Sequence, residues 1–597
     1  MLSKFLHHAI YAGTLLAMSS ASHASLVSEQ VFQNSTATKA QLEQALPDIL
    51  TFNELVHRVR YFYPSEAVSQ TRWEFFLEKV IDQMAVLPEQ ERLAFALAEL
   101  KNITPHIVTQ PSELPVIAHD DIAHTWVATG ARNYHVYERN LRSGSMSELF
   151  NHIHTPKSKY YNDVYGNQTL YWPLYLDSQE SQNGAVFRPE KRLSTMTNPA
   201  TCMAAVSYVW AEIYHFWPYF EQVPVVWEDS HITLLKGCLG NFSNLQNIIN
   251  IEFKKLQDNH VWIALSEVLE RRGDYLLPLK VEYIEGKAII TSKTDYLSLQ
   301  IDIGDELVAI DGKTADEIIQ QAAKTEVVSD HMEEVYAAYG ITQNYKSPKL
   351  VDLVFRKPTG EIVTTTTATI HKDVIGEFKG NALERSLIQD LGEGVVRLNV
   401  YDIATEAQFN EAKAGLSNAK AIVLDMRGYP RNFFLVREFM GYFSNEATTV
   451  GPFMHFSQRL PNQEDVYVNT YPVGIPLNEQ LFNVPTVAIS STQNGSAGEH
   501  FLMIAQNLDI PIVGDVTAGI NGDIIAGWAF GSLANGGIYY LYTGARSDQV
   551  DGSKLIGVGI QPDYLVPVTQ ASIANNVDIQ LEKAHQVVLD ILTDGLR

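Results

Sequence analysis

The sequence predicts a multidomain α/β protein, and three observations support this class. The chain has 597 residues, several times the ~150 residues of an average domain. Its composition of 46% hydrophobic and 19% charged residues is ordinary for a globular protein. From about residue 372 onward, apolar strand-like runs alternate with helical patterns, which is typical of a mainly parallel α/β core.

The first 24 residues have the pattern of a secretory signal peptide. Lys4 precedes a short apolar stretch, and residues 22–24 offer small side chains at which a signal peptidase cuts. The apolar part is too short to span a bilayer, no later stretch approaches ~20 apolar residues, and no cysteine follows the cleavage site to take a lipid. We therefore expect a periplasmic or secreted protein without a membrane span.

Two segments with similar patterns predict a duplicated helical hairpin. Residues 55–74 and 209–228 each run from an apolar helical pattern into aromatic residues and a proline, and Trp-Glu then opens a second helical pattern. Pro64 and Pro218 are expected to end the first helix of each copy. The helical regions are expected over 25–115 and 199–270. Four aromatic side chains of these segments are expected to fill cores, namely Phe62, Trp73, Phe216 and Trp227.

Residues 116–198, between the two copies, predict a β-rich insert. Aromatic residues, Asn, Gly and Ser are frequent there, with short alternating runs. Several histidines and aspartates could be read as metal ligands, but their spacing matches no defined metal site, so we expect polar surface residues and no metal. These residues are His119, Asp120, Asp121, His124, His152 and His154.

The charge and the cysteines restrict the partners and the redox chemistry. The net charge is -25, and no long basic run is present, which argues against nucleic acid as a partner. Cys202 and Cys238 are the two cysteines. In an oxidising compartment they could form one disulfide, and two buried thiols are an open alternative. Two isolated cysteines are too few for a structural zinc cluster.

Residues 271–371 contain short β-patterns around the sequence IGDELVAIDGK at 303–313. The alternation leads into an Asp311-Gly312 turn, and a helical pattern follows from Ala315. The phrase resembles the PDZ signature G-D-x-I/L-x-x-I-D-G. The resemblance implies a domain that binds peptide ends by strand addition. A purely architectural role is the open alternative.

The segment 484–501 carries the most informative serine of the chain. An apolar run ends in a turn that brings Ser496 to the start of a predicted helix, and Glu499 three residues later completes the pattern of a capping box. The same position would put the hydroxyl among helix N-terminal amides, which stabilise negative charge on an attacked oxygen. This segment alone favours the helix cap, and a nucleophile is the alternative.

A series of motifs resembles one peptidase family. In chain order they are LQDNHVW at 256–262, the PDZ-like phrase, LDMRGYP at 424–430, NGSAGEHF at 494–501, VGDVTAG at 513–519 and GVGIQPD at 557–563. Together they resemble the carboxy-terminal processing (tail-specific) serine peptidases, nearer to the tricorn-core branch. The resemblance covers roughly residues 200–597 and implies a ClpP/crotonase-like α/β serine peptidase core over 372–597.

The resemblance implies a nucleophile, a base and an oxyanion hole. The nucleophile of the family motif S-A-x-E corresponds to Ser496, the Ala497 amide would be one oxyanion donor, and the backbone around Gly428 would supply the other. The lysine of the processing branch corresponds to Asn521, so that dyad is absent. The tricorn-like branch takes a histidine from just before the PDZ domain, which makes His260 the candidate general base.

The acid behind that base is not in its usual place. The tricorn-like pattern puts a glutamate where this chain has Ile556. Asp551, five residues earlier, is the candidate for orienting the histidine, and a turn residue is the alternative. Arg431 and Asn432 also stand where many members of the family have glycines after the D-x-R-G turn.

The sequence therefore predicts an exported serine endopeptidase. It would hydrolyse polypeptide amide bonds through an acyl-enzyme on Ser496, without a metal or organic cofactor. The alternative is a catalytically inactive relative that binds peptides or acts as a scaffold, which Ile556 and the missing glycines motivate. An α/β-hydrolase esterase is less favoured, because its elbow needs G-x-S-x-G and Asn494 occupies the first glycine.

Overall fold

The computed structural model describes residues 37–594 apart from a few short gaps. The gaps are 118–121, 129–138, 146–147, 149–155, 191–193, 271–272, 299, 381–385, 445, 447–448, 477, 479–480 and 531–535. The expected signal peptide lies outside the described residues. So do the histidines and aspartates considered as metal ligands, except His124.

The N-terminal half is built from helices on either side of a group of short strands. The helices are α1 (Lys39–Gln44), α2 (Leu46–Phe62), α3 (Glu66–Gln70), α4 (Trp73–Ala85), α5 (Glu89–Ile103), α6 (Pro199–Phe216), α7 (Glu228–Leu239), α8 (Phe242–Lys254) and α9 (Ser266–Glu270). The strands are β1 (Ile122–Ala128), β2 (Arg139–Ser145), β3 (Tyr160–Tyr165), β4 (Gln168–Pro173), β5 (Leu176–Asp177) and β6 (Trp262–Leu265).

The two predicted helical hairpins are present and pack on each other. Helices α2 and α6 each end two residues before a proline, as expected from the steric clash that a proline makes with helical backbone before it. The four aromatic residues named above are buried. The buried Arg60 guanidinium of α2 binds the Glu212 carboxylate of α6 at 2.7 Å, which joins the two copies through a paired internal charge.

The two cysteines form a disulfide. It joins Cys202 of α6 to Cys238 of α7, with a Cα–Cα distance of 5.6 Å. This decides between the two alternatives that the sequence left open.

Strands from the predicted insert belong to a sheet shared with the C-terminal half. Strand β1 pairs with β2, with β5 and with β19 (Thr449–Gln458). The sheet has eight strands and also includes β6, β20 (Val466–Gly474), β23 (Gly522–Ala529) and β24 (Ile538–Arg546). Strand β6 follows directly after His260 and pairs with β24, so this sheet connects the helical region to the core that holds Ser496.

Residues 279–380 form a seven-stranded sheet with two helices. The sheet contains β8 (Leu279–Ile284), β9 (Lys287–Lys293), β10 (Glu306–Ile310), β11 (Lys313–Thr314), β12 (Leu350–Arg356), β13 (Ile362–Ala368) and β15 (Lys379–Gly380). The helices are α10 (Ala315–Ala323) and α11 (Glu333–Gly340), and the small strands β7 (Tyr275–Leu276) and β14 (Ile370–His371) pair beside them. The predicted turn forms between β10 and β11, where Asp311 and Gly312 both have positive φ, as a two-residue hairpin requires.

The C-terminal core is a six-stranded, mainly parallel sheet, which confirms the α/β prediction. Its order is β16 (Ile388–Gly392), β17 (Val395–Asn399), β18 (Ala421–Asp425), β21 (Thr486–Ser490), β22 (Ile512–Gly514) and β25 (Tyr564–Leu565). Only β16 pairs antiparallel. Its helices are α12 (Glu406–Gly415), α13 (Phe433–Met440), α14 (Ala497–Asn507), α15 (Gln570–Ala574) and α16 (Ile579–Asp594). Apolar clusters cover both faces of the sheet, as a buried parallel sheet needs.

Across the described part of the chain, no helix combines the length and the apolar character needed to cross a bilayer.

Candidate active site

Two neighbouring strands of the parallel sheet deliver the candidate site. Strands β18 and β21 are adjacent and parallel, and all residues of both are buried. Their carboxyl ends therefore lie side by side. The turn 425–429 follows the first strand and the turn 491–496 follows the second, at the edge where sheets of this type bind ligands.

Ser496 has a backbone conformation that side chains rarely adopt. Its φ is 52° and its ψ is -122°, outside the small left-handed region open to most residues. Its amide donates to the Ile520 carbonyl at 2.6 Å, which helps to hold the strained turn. A serine on a sharp, strained strand-to-helix turn is the geometry of a nucleophile elbow.

Ser496 does not cap α14 with its hydroxyl, so that half of the predicted capping box is wrong. The Glu499 carboxylate accepts the Thr517 hydroxyl, the Gly519 amide at 2.7 Å and the Ile520 amide at 2.7 Å. Burial raises the pKa of Glu499 to about 7, against the lowering effect of these donors. The positive φ of Ser496 explains why its hydroxyl does not cap the helix, because a helix-capping residue ordinarily has β-region dihedrals.

Asn494 joins the serine turn to the turn after β18. Its side-chain Nδ2 donates to the Met426 carbonyl at 2.7 Å and to the Gly428 carbonyl at 2.9 Å. The two turns also touch directly, since a β-carbon on Gly498 would lie 2.7 Å from the Gly428 oxygen. Only glycine fits at position 498 without displacing the backbone around Gly428.

One backbone amide in each of the two turns has no protein acceptor. In the described residues, neither the Ala497 amide nor the Gly428 amide makes a hydrogen bond to the protein. Gly428 has φ 94°, a conformation that glycine adopts without strain. Amides that point nowhere else are available to an oxygen that develops negative charge.

A charge network fixes the turn that carries Gly428. Arg427 binds Asp425 at 2.6 Å and Asp578 at 2.7 Å, and Arg397 binds Asp425 at 2.8 Å. Burial alone would raise the pKa of Asp425, but the two guanidinium groups hold it well below its usual range. The turn is therefore fastened to α16 and to β17 by ionised groups.

His260 is buried, and one of its ring nitrogens has no partner. Nδ1 lies 3.1 Å from Thr543 Oγ1, and the His260 amide donates to Asp258 Oδ1 at 2.9 Å. Nε2 is buried without a hydrogen-bond partner among the residues that the structure describes. Burial lowers the pKa of His260 to about 4, so the ring is neutral at physiological pH.

The segment containing His260 lies beside the serine turn. A β-carbon placed on Gly495 would be 3.7 Å from Asn259 Nδ2, so the residue before His260 contacts the residue before Ser496. Asn259 Nδ2 also donates to the Tyr336 hydroxyl at 2.9 Å. Helix α11 of the 279–380 region thus contacts the same corner.

Asp551 has no contact with the histidine that it was expected to orient. Its carboxylate is exposed and accepts the Ser553 amide at 2.9 Å, within its own turn. The Nδ1 atom of His260 meets Thr543 instead. These contacts fit the alternative that Asp551 is a turn residue, because an aspartate side chain in a turn commonly accepts a hydrogen bond from the backbone amide two residues later. Ile556, at the position expected for the acid, is fully buried.

Asn521 occupies the position of the lysine in the processing branch. Its Nδ2 lies 3.2 Å from Ser547 Oγ and 3.5 Å from His500 Nδ1. An amide cannot act as a general base.

Comparisons with known proteins found similarity at the level of three-dimensional structure. Neither the protein-family models nor the curated proteins contain a match. Mature CPAF complexed with lactacystin has a TM-score of 0.53 at 13% identity, over 66% of this chain and 99% of CPAF. Mature CPAF alone gives 0.53 at 13% identity, over 67% and 98%. The chain has the fold of CPAF.

The photosystem II D1 C-terminal processing protease is also matched, with a TM-score of 0.37 at 14% identity, over 61% of this chain and 93% of that one. At this identity the likeness to CPAF gives no residue roles, which depend on the geometry described above.

Three residues that shape the site were not among the predicted site residues. Thr543 contacts His260 from β24, and Asn494 links the two turns. Tyr429 hydrogen-bonds the Ser496 side chain, which opposes the rise in the Tyr429 pKa that burial causes. Tyr429 could have been predicted from its position directly after the D-x-R-G motif, because the turn formed by that motif was expected to lie beside the serine.

No group of three or more metal-binding side chains is present in the described residues. His124, the one described member of the histidine set considered above, has its Nε2 atom 2.8 Å from Ser178 Oγ.

Proposed function

We propose that this protein is an exported serine endopeptidase that forms an acyl-enzyme on Ser496. The observation that carries the proposal is the strained elbow of Ser496, together with amides without acceptors at Ala497 and at Gly428 of the adjoining turn. Strain of this kind persists only where the surroundings impose it, and it concentrates at functional sites. The bonds from Asn494, Glu499 and Ile520 impose it here.

In the proposed reaction, Ser496 Oγ attacks the carbonyl carbon of a peptide bond. Its proton passes to Nε2 of His260 as the new C–O bond forms. The same proton then goes to the leaving nitrogen as the C–N bond breaks, which leaves an ester on Ser496. A water molecule, deprotonated by the neutral His260, hydrolyses the ester and restores the serine. No metal or organic cofactor enters these steps.

The oxyanion of each tetrahedral intermediate is proposed to bind the Ala497 and Gly428 amides. Amides held in advance cost no reorganisation when charge develops, and one such donor is typically worth about 3 kcal/mol in the transition state. The N-terminus of α14 adds a favourable dipole at the same point.

The proposed substrate is a polypeptide chain. The sequence of 303–313 and the open β-sheet of residues 279–380 support a PDZ-like role in binding peptide ends. The disulfide between Cys202 and Cys238 supports an oxidising compartment, periplasmic or extracellular.

A second candidate is a non-catalytic relative that binds peptides or acts as a scaffold. It is favoured by the buried Ile556 at the expected acid position and by the exposed Asp551, which contacts its own turn. In this alternative the elbow would persist as a relic of the fold.

Hydrolysis of an unstructured protein separates the two candidates. Purified wild-type protein is incubated with casein, next to Ser496→Ala and a matched control, Ser417→Ala, which removes an exposed hydroxyl that only bonds Ala414 at a helix end. The peptidase proposal predicts cleavage by wild type and by Ser417→Ala and none by Ser496→Ala. Equal cleavage by all three proteins, or by none, would contradict it.

A further inference from the structure

We propose that Asp258 and Thr543 are positioning residues that orient His260 through a hydroxyl relay, in place of a carboxylate in direct contact with the ring. The inference rests on the proposed function, because it assigns the group behind the proposed base. It also explains how the reaction could proceed with an isoleucine at position 556.

The three side chains form a continuous chain of contacts. Thr543 Oγ1 lies 3.1 Å from His260 Nδ1 and 3.2 Å from Asp258 Oδ1. The same Oδ1 atom accepts the His260 amide at 2.9 Å. The other carboxylate oxygen accepts Trp217 Nε1 at 2.8 Å. Asp258 and Thr543 are fully buried and His260 nearly so, so water does not compete for these bonds.

The protons available on the three side chains determine which group donates in each hydrogen bond of the relay. An ionised carboxylate only accepts, and a threonine hydroxyl has one proton to donate. Thr543 therefore donates to Asp258 and accepts from Nδ1–H of His260. This direction selects the tautomer that carries its proton on Nδ1. It leaves a lone pair on Nε2, the buried atom that has no partner among the described residues and that a general base needs.

The Asp258 carboxylate also stabilises His260 when the ring takes up a proton. A serine proton on Nε2 makes His260 an imidazolium, and the Asp258 carboxylate lies one hydroxyl away in a buried site. Charges interact more strongly there than in water, which stabilises the imidazolium in the transition state. No proton has to leave Nδ1 for this effect.

The chain contains the elements needed for a clean test. Thr543→Val keeps the shape of the side chain and removes the hydroxyl, while Thr543→Ser keeps the hydroxyl. Asp258→Asn keeps an acceptor and removes the charge. Thr104→Val is the matched control, since Thr104 is equally buried and donates only to the Leu100 carbonyl of its own helix.

The variants are compared by kcat and KM for casein-derived peptide hydrolysis, together with Tm. We expect kcat to fall at least a hundredfold in Thr543→Val and in Asp258→Asn with KM nearly unchanged, since loss of the orienting acid costs about 10⁴-fold in a directly bonded triad. Thr543→Ser should recover to within about tenfold of wild type. Wild-type kcat in Thr543→Val, or an equal loss in Thr543→Ser, would overturn the relay.

A second measurement does not depend on activity. Wild-type protein with ¹⁵N-labelled histidine, and His260→Gln for assignment, reports the tautomer at neutral pH. The relay predicts a protonated Nδ1 and an unprotonated Nε2, and the opposite tautomer would overturn it. If wild type and Ser496→Ala both fail to hydrolyse substrate while this tautomer is found, the relay stands and the peptidase proposal fails.

Discussion

The Glu499 carboxylate accepts the Ile520 amide at 2.7 Å, and the Ile520 carbonyl accepts the Ser496 amide at 2.6 Å. Ile520 is thus held from both sides, and the strained serine turn is tied to a buried acid three residues along its own helix. The loop 517–520 is part of the same unit, because Thr517 and Gly519 bond the same carboxylate. Glu499 therefore organises the elbow and does not act as a simple helix cap.

Replacing Glu499 with glutamine should damage the elbow. A carboxamide has one acceptor oxygen where the carboxylate has two, and its NH₂ would face an amide donor. We expect a loss of about 1–3 kcal/mol in the free energy of unfolding and a fall in kcat. Urea unfolding and peptide hydrolysis measure the two effects. Glu411→Gln, on the exposed surface of α12, is the control, and a Glu499→Gln variant that matches it in both assays would contradict this role.

Removing the Tyr429 hydroxyl should slow the chemical step. This hydroxyl bonds the Ser496 side chain, and in the proposed reaction we expect it to be a third donor to the oxyanion, in addition to the Ala497 and Gly428 amides. We expect Tyr429→Phe to lower kcat roughly a hundredfold, as loss of one oxyanion donor does, with little change in KM. Tyr467→Phe, on β20, is the comparison. An unchanged or increased kcat would show that the hydroxyl only restrains the resting serine.

The activity should fall in acid below the normal range of histidine. Burial raises the pKa of Asp258 to about 6 and lowers the pKa of His260 to about 4. As pH falls through 6, a protonated Asp258 can donate to Thr543, which reverses the relay and puts the imidazole proton on Nε2. Protonation of His260 itself follows nearer to pH 4.

We therefore expect kcat/KM to rise with pH in more than one step, with apparent pKa values between about 4 and 6 that belong to the coupled pair and a further step near 7 where Glu499 loses its proton. Initial rates on a peptide substrate from pH 4 to 9 measure the profile, and aliquots returned to pH 7 check that the loss is reversible. A profile without any step between about 4 and 6 would contradict the assignment.

Reduction of the disulfide should destabilise the helical region. The bond between Cys202 and Cys238 closes a loop of 36 residues, for which chain entropy gives about 3–4 kcal/mol. We expect dithiothreitol to lower the urea midpoint of wild type. The double variant Cys202→Ser/Cys238→Ser should start at the lower midpoint and not respond to the reductant. The same response in both proteins would assign the effect to something other than this bond.

The sequence predicted those parts of the fold that follow from local patterns. The prolines at 64 and 218 ended helices as expected, the Asp311-Gly312 turn formed, and the alternation after residue 372 gave a parallel sheet. Each of these features depends on residues close together in sequence, through a steric restriction or a repeating apolar face.

The contacts within the site could not be predicted in this way. Thr543 and His260 are far apart in sequence, and only the pairing of β6 with β24 brings their segments together. The capping-box pattern at Ser496 was half wrong: the elbow takes the serine out of the dihedral range of a cap, while the Glu499 carboxylate bonds the Ser496 backbone and also the loop 517–520. The acid expected near residue 551 was inferred from spacing alone, and spacing does not report which atoms meet.

The most direct test of the account is the site at which a serine-directed probe reacts. Wild-type protein is treated with a fluorophosphonate, digested and analysed by mass spectrometry, alongside Ser496→Ala, His260→Gln and the Ser417→Ala control. We expect one adduct on Ser496 in wild type and in the control, a rate of labelling at least a hundredfold lower in His260→Gln, and none in Ser496→Ala. An adduct on another residue, or wild-type labelling no faster than His260→Gln, would contradict it.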